Sequence, residues 1–510
     1  MRKATLLLLS LLLFCGCTKN PEPSGDFDYT ALKKSSYSAD PSVKTYYEIF
    51  VASFADGDGD GKGDLKGVTA KLDYLEALGI NGIWLMPIHP SPSYHKYDVT
   101  DYYQIDPAYG SLEDFKVLLK KAHEKGISVI IDLVINHTSD QHPWFEDMKQ
   151  AVLNGDCSKS AYCDWYVLSE SNQTGYSPLG NLYYEARFWS GMPDLNLDNP
   201  EVRAEIEKIT AFWLDLGVDG FRLDATTSYY PSNYDSISFL TWFMEMVKSQ
   251  KSDVFVVGET WSDQAAILSY FRSGIDCLFD FPDSGPDGYL INVLRSGNGK
   301  ALAEHISAQV NNIDANQNWG NFLSNHDQGR SGGYVADEAQ QKMLANLYLL
   351  RPGVAFLYYG EEIELKGSGE DPNKRLPMVW DSDQPLLAFP TGASQSEYYS
   401  IDVKRSLQNE DSLLRHYASV IHLRNSLSPF GGGSVTVLSG LDEALCAFII
   451  TNESEWVIVV HNLKSEAKSM SLPGNYALYG VIEIEGSITY KDGILSFDGL
   501  GSAVIIEAKP

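Results

Sequence analysis

The chain from Thr45 onward alternates short apolar runs with longer stretches in which apolar residues recur every three or four positions. Short apolar runs between polar turns predict buried strands, and the longer stretches predict amphipathic helices. The predicted strands are Tyr46–Ser53, Gly82–Met86, Ser128–Ile135, Gly220–Leu223, Val254–Gly258, Cys277–Phe281, Gly320–Leu323 and Ala355–Tyr359. Eight β/α units in succession predict an α/β fold, the (β/α)₈ or TIM barrel, whose functional residues gather at the carboxyl ends of the strands.

The regular spacing is interrupted once, after the third predicted strand. Roughly sixty residues, rich in Tyr and Gly, follow before the helix that precedes the fourth strand, whereas such connections usually take about 2–6 residues. The sequence therefore predicts a barrel built from residues 45–138 and 200–427, with a small inserted domain over residues 139–199.

The pattern changes again after Phe430. Apolar or alternating runs between Gly and Asn turns predict antiparallel strands, among them Ser434–Leu438, Leu445–Ile450, Trp456–His461 and Ala503–Glu507. This predicts a C-terminal antiparallel β-sandwich over residues 428–510. Its role stays open between packing against the barrel and binding glycan.

The first residues have the features of an export signal. Arg2 and Lys3 precede an apolar run over residues 4–14, which is shorter than the ~20 residues that a membrane span needs. Residues 13–17 resemble the signal of a bacterial lipoprotein, in which Cys17 becomes the lipidated first residue of the mature chain. The alternative is cleavage by the ordinary signal peptidase, which leaves Cys17 unmodified.

We therefore expect residues 1–17 to form a lipoprotein signal peptide. Residues 18–44 are rich in Ser, Pro, Lys and Asp and lack apolar periodicity, which predicts a tether. The mature protein is then expected outside the bacterial cytoplasm, in the periplasm or at the cell surface. Its only membrane contact is the lipid anchor.

Composition and charge narrow the class of partner. A chain of 510 residues with 44% hydrophobic content is expected to form several globular domains. Its formal charge of −29 excludes nucleic acid as a partner, because a polyanion is repelled, whereas neutral carbohydrate is compatible with it. We expect the protein to act as a monomer.

Six cysteines are present. Export makes a disulfide chemically accessible, and Cys157 and Cys163 lie close together in a polar stretch, which predicts a bridge between them. Two free loop thiols are the alternative. Cys277 and Cys446 fall in apolar surroundings and are expected to be buried thiols.

Three apolar runs in the middle of the chain each end on a carboxylate. VDGFRLDA ends on Asp224 and an alanine, VFVVGET carries Glu259, and FLSNHD ends on Asp327. A single Asp after a strand is more often a cap or a turn residue. Three at the ends of parallel strands, with Arg222 and His326 nearby, suit the cleavage of a glycosidic bond.

Together with DLVINH (residues 132–137) and MPDLN (residues 192–196), these stretches resemble the signature regions of the α-amylase family of glycoside hydrolases. All five occur in the family's order, and the similarity covers residues 46–427. The resemblance implies retaining hydrolysis of α-1,4-glucosidic bonds in starch, glycogen or malto-oligosaccharides, as by an α-amylase. An oligo-α-glucosidase or a 4-α-glucanotransferase is the alternative. An inactive glycan-capture lipoprotein would have lost a carboxylate, and none is lost.

The resemblance also implies a role for each carboxylate: Asp224 as nucleophile, Glu259 as acid/base and Asp327 as stabiliser of the transition state. The physical reasons are independent of it. Arg222 lies two residues before Asp224, on the same strand face, and so should keep it ionised. Burial should keep Glu259 protonated until it donates its proton.

Further residues match substrate contacts of that family. They are Tyr97, Asp98, His137, Arg222, His326, Asp371 and Arg375. For His137 the alternative is a core histidine bonded to backbone. For Asp371 and Arg375, which are four residues apart, the alternative is a surface salt bridge.

A second acidic motif follows the first predicted strand, in the sequence DGDGDGKGD. Its candidate cation ligands are Asp56, Asp58, Asp60, the carbonyl of Lys62, and Asp64. Alternating carboxylates on a glycine-rich loop suit Ca²⁺, which prefers oxygen ligands. Gly67 stands where an EF-hand has its bidentate Glu, so the loop instead resembles a metal loop of the amylase family. We expect a structural Ca²⁺; a metal-free acidic turn is the alternative.

Two features near the nucleophile bear on the type of activity. Ala225 resembles the residue of the α-1,4-acting members at this position. Thr226 and Thr227 stand where many α-amylases have Lys-His, which puts in doubt the usual calcium site between barrel and inserted domain.

Overall fold

The computed structural model describes residues 27–508 apart from residues 336, 395 and 397. The predicted signal peptide and the predicted lipidation site at Cys17 lie outside the described residues. None of the helices in this part of the chain has both the length and the apolar character needed to cross a membrane.

Eight parallel strands close into a barrel, as the sequence predicts. Each strand pairs with the next along the chain, and the eighth pairs with the first. The strands are Thr45–Ile49, Gly82–Leu85, Ser128–Leu133, Gly220–Leu223, Phe255–Gly258, Cys277–Phe279, Asn318–Asn321 and Val354–Tyr358. Large side chains, including Tyr46, Trp84 and Phe356, fill the barrel interior, which makes it a packed core rather than a pore.

Seven of the eight strands differ from the predicted bounds, and the first and the seventh differ most. The first ends at Ile49, and the apolar residues that follow form a short 3₁₀ helix, Val51–Ser53. A short apolar run fits a buried strand and a buried turn equally well, so hydropathy does not separate them. The seventh strand begins earlier than predicted, at Asn318, because two asparagines conceal it in the apolar pattern.

Helices cover the outside of the barrel and complete the β/α units. Their apolar faces pack on the strands, and the largest hydrophobic cluster joins both layers. The helices of the described chain are Leu65–Ala70, Leu72–Leu78, Leu112–Glu124, Pro143–Leu153, Pro200–Leu216, Asn233–Gln250, Gln264–Tyr270, Tyr289–Ser296, Gly299–Val310, Glu338–Leu349, Val403–Gln408 and Leu413–Asn425.

The stretch inserted after the third barrel strand has structure of its own. It contains one helix, Pro143–Leu153, and a three-stranded antiparallel sheet of Leu168–Ser169, Leu182–Glu185 and Tyr176–Leu179. The structure joins Cys157 to Cys163 through a disulfide, and Cys277 and Cys446 are buried free thiols. One backbone bridge, between His137 and Asp194, ties this stretch to the segment that follows the third strand.

The C-terminal region is a β-sandwich of two antiparallel sheets, as predicted. The larger sheet contains, in spatial order, Ser434–Val437, Leu445–Thr451, Trp456–Asn462, Gly501–Glu507 and Tyr476–Glu483. The smaller sheet contains Lys468–Ser471, Ile494–Phe497 and Ile488–Lys491. A separate apolar cluster fills the space between them.

The prediction of a tether over residues 18–44 is wrong for residues 27–44. Residues 27–44 pack on the barrel: a 3₁₀ helix, Tyr29–Leu32, buries Leu32 completely. The ring of Tyr29 also lies 5.5 Å from that of Tyr74. Polar composition suggested a solvated linker, but a few well-spaced apolar residues suffice to anchor it.

Candidate active site

Asp224 and Glu259 leave neighbouring strands at the same level. Leu223 is the register partner of Gly258, and the amide of Glu259 donates to the carbonyl of Leu223 at 2.9 Å. Asp224 and Glu259 therefore lie side by side, each one residue beyond the paired end of its strand. Adjacent strands lie about 4.8 Å apart, so the register brings both carboxyl groups to one point of the rim.

The guanidinium of Arg222 lies between these carboxylates and a third. Its Nη1 is 2.5 Å from Asp224 Oδ1 and 2.7 Å from Asp132 Oδ1, and its Nη2 is 3.0 Å from Glu259 Oε2. Arg222 is completely buried. One cation thus faces three carboxyl groups, and binding a proton at one of them relieves the excess negative charge.

Glu259 is the carboxyl group that holds this proton. Burial raises its pKa to about 8; Arg222 opposes the shift, and the charges of Asp224 and Asp327 add to it. A carboxylic acid with this pKa is protonated at neutral pH and can act as a proton donor.

The turn after Asp224 also holds Glu259 in place. Ala225 has φ +48°, in the left-handed region that non-glycine residues seldom adopt. Its amide consequently points to Glu259 and donates to Oε2 at 2.8 Å. Such local strain is typical of positions that a functional site constrains.

Asp327, which comes after the seventh strand, is held by two cations. His326 Nε2 is 3.0 Å from its Oδ2, and Arg375 Nη2 is 2.9 Å from its Oδ1. Burial by itself would raise the pKa of Asp327, but His326 and Arg375 together hold it well below its usual range. Asp327 is therefore a carboxylate at all working pH values.

His326 is fixed by a residue that sequence reasoning did not single out. Its Nδ1 lies 2.5 Å from Glu48 Oε1, at the end of the first strand, and its Nε2 lies 2.7 Å from the hydroxyl of Tyr97. Burial opposes protonation, yet Asp327 and Glu48 raise the pKa of His326 to about 10. The imidazole is thus a buried cation at the rim.

Tyr97 and His137 line the same cavity mouth from the second and third strands. The hydroxyl of Tyr97 is 3.1 Å from Asp132 Oδ2, and its ring stacks on His326. His137 Nε2 is 3.2 Å from the carbonyl of Tyr97, and burial lowers the pKa of this histidine. The alternative predicted for His137 was a histidine bonded to backbone. That contact is present, and the histidine that makes it lies at the candidate active site.

Asp98 is buried beside this group, and its Oδ1 accepts hydrogen bonds from the hydroxyls of Ser91 and Ser93. These bonds brace the loop after the second strand. A contact of Asp98 with substrate stays a prediction.

Asp371 and Arg375 form more than a surface salt bridge. Arg375 is buried and joins Asp371 Oδ2, at 3.0 Å, to Asp327. The hydroxyl of Tyr94 donates to the same Asp371 oxygen at 2.8 Å. The side chain of Asp371 remains 44% exposed, so this pair extends the polar rim outward from Asp327.

Sequence reasoning missed Glu48 and Asp132, which hold His326 and Arg222. Both sit inside runs predicted as buried strands, YYEIF and VIIDL. A lone carboxylate in an otherwise apolar strand is costly unless it is paired. That cost is the signal that identifies such residues.

Two exposed aromatic side chains stand at the edges of the site. Trp261, two residues after Glu259, is 51% exposed and stacks on Phe281 at 4.8 Å. Phe188, from the inserted stretch, packs edge-on against His137. The insertion thus forms one wall of the cleft.

The acidic loop after the first strand brings part of its predicted ligand set together. Carboxylate oxygens of Asp56, Asp58 and Asp64 lie within 4.8 Å of one another. No lysine or arginine of the described residues forms an ion pair with them. Oxygens that converge without a protein cation fit a hard divalent cation.

Asp60 does not join this group. Its carboxylate is not among the oxygens that converge, and its Oδ1 accepts from the amide of Lys62 at 2.8 Å. Gly59 and Gly61, on either side of Asp60, have φ of +89° and +87°, a left-handed backbone that favours glycine. The carbonyl of Lys62 stays a predicted ligand.

Comparison with known proteins places the chain among carbohydrate-active enzymes. The family described as alpha amylase, catalytic domain, matches residues 48–430. Alpha-amylase 3 of Dictyoglomus thermophilum is 38% identical over 479 residues, covering 91% of this chain and 92% of that protein.

Solved structures agree. Eubacterium rectale Amy13B superposes with a TM-score of 0.90 at 38% identity, covering 93% of this chain and 97% of that one. An α-amylase from H. orenii superposes with a TM-score of 0.82 at 36% identity, covering 91% and 99%.

Relatives with other activities in their names are less similar. An oligo-1,6-glucosidase of Parageobacillus thermoglucosidasius is 29% identical, over 86% of this chain and 92% of that protein. A 4-alpha-glucanotransferase of Thermotoga neapolitana is also 29% identical, over 82% and 95%. Hydrolysis and glucosyl transfer are thus both represented.

Proposed function

Because the chain belongs to the α-amylase family of glycoside hydrolases, we propose that it cleaves α-1,4-glucosidic bonds in starch, glycogen or malto-oligosaccharides with retention of configuration. The observation that carries the proposal is the register of Leu223 with Gly258. It places Asp224 and Glu259 side by side, and a retaining mechanism needs its two carboxyl groups ~5–5.5 Å apart.

Each step then has a residue in position. Glu259, protonated because burial raises its pKa to about 8, donates its proton to the leaving oxygen. Asp224, held by Arg222 at 2.5 Å, attacks the anomeric carbon and forms a covalent glucosyl intermediate. Glu259, now a carboxylate, removes a proton from the water that releases the sugar.

The charged group around Asp327 supports the transition state. The anionic Asp327 is held by the cationic His326 at 3.0 Å and Arg375 at 2.9 Å, and this group would face the sugar ring whose glycosidic bond breaks. Hydrogen bonds from such fixed groups to sugar hydroxyls strengthen as the ring distorts. A preorganised network contributes more than mobile solvent, since it does not reorganise during the reaction.

Among the family's activities, we favour an α-amylase. Ala225 and the similarity to named α-amylases at 38% and 36% identity support this choice. An oligo-α-glucosidase or a 4-α-glucanotransferase is the second candidate, since relatives with those names are 29% identical.

The test is a time course of products from amylose and from maltotriose with the purified protein. Rapid shortening of amylose with mixed short products supports an endo-acting α-amylase. Glucose released mainly from maltotriose, or longer products built from it, moves the enzyme to the glucosidase or transferase class. No turnover of either substrate contradicts the proposal and favours a glycan-capture protein.

The acidic loop is proposed to hold a structural Ca²⁺. Asp56, Asp58 and Asp64, whose oxygens converge within 4.8 Å, would supply ligands together with the carbonyl of Lys62. An ion there would cross-link the loop after the first strand and take no part in the chemical steps.

Anchoring outside the cytoplasm is also a proposal, supported by the signal-like residues 1–17. Cys17→Ser should release the protein from bacterial membranes into the soluble fraction. Retention of this variant in the membrane fraction would contradict lipidation at Cys17.

A further inference from the structure

Two threonines bond the turn after Asp224 to the turn after Glu259. The hydroxyl of Thr226 donates to the carbonyl of Glu259 at 2.8 Å, and the amide of Thr226 donates to the same carbonyl at 3.0 Å. The hydroxyl oxygen of Thr260 lies 2.8 Å from that of Thr226. The backbone of the proposed proton donor is therefore held by the turn that follows the proposed nucleophile.

The donor in each of these side-chain bonds follows from the number of protons. A threonine hydroxyl has one proton to donate, and a carbonyl oxygen can only accept. The proton of Thr226 therefore goes to the carbonyl of Glu259, and the proton of Thr260 goes to the oxygen of Thr226. Each bond in such a chain polarises and strengthens the next.

The threonine pair is shielded from water. Thr226 and Thr260 are completely buried, and Asp224 and Glu259 are each 7% exposed. When one partner of a buried hydrogen bond is removed, the other is left unsatisfied, which costs more than the bond itself contributes. The pair therefore holds the two turns at one separation.

The contacts of the Glu259 carboxyl group indicate which of its oxygens carries the proton. Its Oε2 accepts from the amide of Ala225 at 2.8 Å and lies 3.0 Å from Nη2 of Arg222. The oxygen that faces two N–H groups is the acceptor of the neutral carboxyl group, so the proton resides on Oε1. The direction of Oε1 is then set by two anchors: the amide of Ala225 at the carboxyl group and Thr226 at the backbone carbonyl.

Both anchors belong to the turn that carries Asp224. Asp224, Ala225 and Thr226 are consecutive. The φ of +48° at Ala225 is a conformation that persists only where the surrounding structure fixes it, and the bonds of Thr226 supply such a constraint. Loss of the Thr226 hydroxyl should therefore release the proton donor while the nucleophile keeps its own contact with Arg222.

We propose that Thr226, braced by Thr260, is a positioning residue that aligns the proton of Glu259 with the leaving oxygen of the substrate. Thr226 is completely buried and acts through Glu259, not through a contact with substrate. The inference rests on the proposed function, because it concerns the proton that Glu259 delivers to the glycosidic bond. It assigns the effect of Thr226 to proton transfer and not to the attack by Asp224.

The test compares Thr226→Val with Thr227→Val. Valine keeps the shape of threonine and removes the hydroxyl; Thr227 is half-buried and lies outside the threonine pair, so it is a matched control. Loss of one buried hydrogen bond should lower kcat for maltoheptaose roughly three- to tenfold, with little change in KM. Release of an acidic phenol from an aryl maltoside in the first turnover should stay within about twofold of the wild type, because this leaving group needs little proton donation. Thr227→Val should match the wild type on both substrates.

Two further variants separate the hydroxyl from packing. Thr226→Ser keeps the hydroxyl and removes the methyl group, so it should stay close to the wild type on both substrates. Thr260→Val removes only the brace and should give a smaller loss that is again confined to maltoheptaose. Melting temperatures report folding, and if Thr226→Val does not fold, Thr260→Val provides the same comparison of substrates.

Equal losses on maltoheptaose and on the aryl maltoside would overturn the positioning role, as would a Thr226→Val enzyme with wild-type rates on both. In either case the proposed function stands, because the wild-type protein cleaves both substrates. If the wild-type protein cleaves neither, the proposed function and the positioning role fail together.

Discussion

Arg222 Nη1 lies 2.5 Å from Asp224 Oδ1, and both groups are buried at the mouth of the barrel. The pairing sets a buried positive charge directly against the proposed nucleophile. The same guanidinium contacts Glu259, whose pKa is nevertheless raised to about 8. A carboxyl group that keeps its proton at neutral pH is what a proton donor requires.

Asp224→Asn should remove hydrolysis while preserving the fold. The amide cannot form the glucosyl ester, and we expect kcat to fall roughly 10⁴-fold or more. Reducing-sugar release from amylose measures the loss, and thermal unfolding measures stability. Asp253→Asn, at an exposed position, is the control. Activity of Asp224→Asn close to that of the wild type would contradict the assignment of Asp224 as the nucleophile.

The alkaline limb of the pH–rate profile should report Glu259. Its proton is required for catalysis and is bound below a pKa of about 8. Activity should therefore be full below that pH and fall about tenfold per pH unit above it. The measurement is kcat/KM for maltoheptaose from about pH 5 to about pH 10.

Glu259→Gln provides the matching variant. Malto-oligosaccharide cleavage should drop about 10²–10⁴-fold, and the alkaline limb should disappear. An aryl maltoside with an acidic phenol needs little proton donation, so release of its phenol in the first turnover should survive. Equal losses with both kinds of substrate argue against a proton-donor role.

Chelation should lower the melting temperature if the acidic loop holds Ca²⁺. An ion that binds only the folded state stabilises it by mass action, and we expect a decrease of at least about 2 °C at excess chelator. Asp58→Asn should abolish this response. Asp60→Asn should retain it, because Asp60 lies outside the convergent group. An unchanged melting temperature of the wild type would rule out the site.

Glu48→Gln should impair catalysis, although Glu48 acts through His326 and not through a contact with substrate. Glu48 contacts His326 at 2.5 Å, so loss of its charge should lower the pKa of His326 and loosen the imidazolium. A charged hydrogen bond is worth about 1.5–3 kcal/mol, which corresponds to a decrease of roughly 10- to 150-fold in kcat/KM. NMR titration of His326 distinguishes this effect from general destabilisation. Wild-type titration and activity in this variant contradict the positioning role.

Much of the architecture could be predicted from the sequence, because it depends on local patterns. Apolar runs at regular spacing predicted the barrel and the sandwich, and the break in spacing predicted the insertion. The three carboxylates could be predicted for the same reason, because each comes at the end of an apolar run: Asp224, Glu259 and Asp327. Strand ends in a parallel barrel share one rim, so position in the run predicts proximity.

Other features were misjudged because their cause is not local. Residues 27–44 looked like a solvated linker, yet Leu32 is completely buried by helices that come later in the chain. Asp60 fits an alternating ligand pattern, yet the carboxylates that converge are those of Asp56, Asp58 and Asp64. Composition and spacing contain no information about such convergence or docking.

The sequence by itself determined the type of fold and the residues that end its strands, since hydrophobic periodicity and strand-end chemistry act over a few residues. Only the tertiary structure decided how those residues are held. Glu48 and His326 are 278 positions apart, and Tyr94 and Asp371 are 277 apart. Barrel closure brings them into contact, and the resulting burial and pairing set their protonation. Long-range contacts of this kind depend on the register and closure of the whole sheet, which no single stretch of sequence specifies.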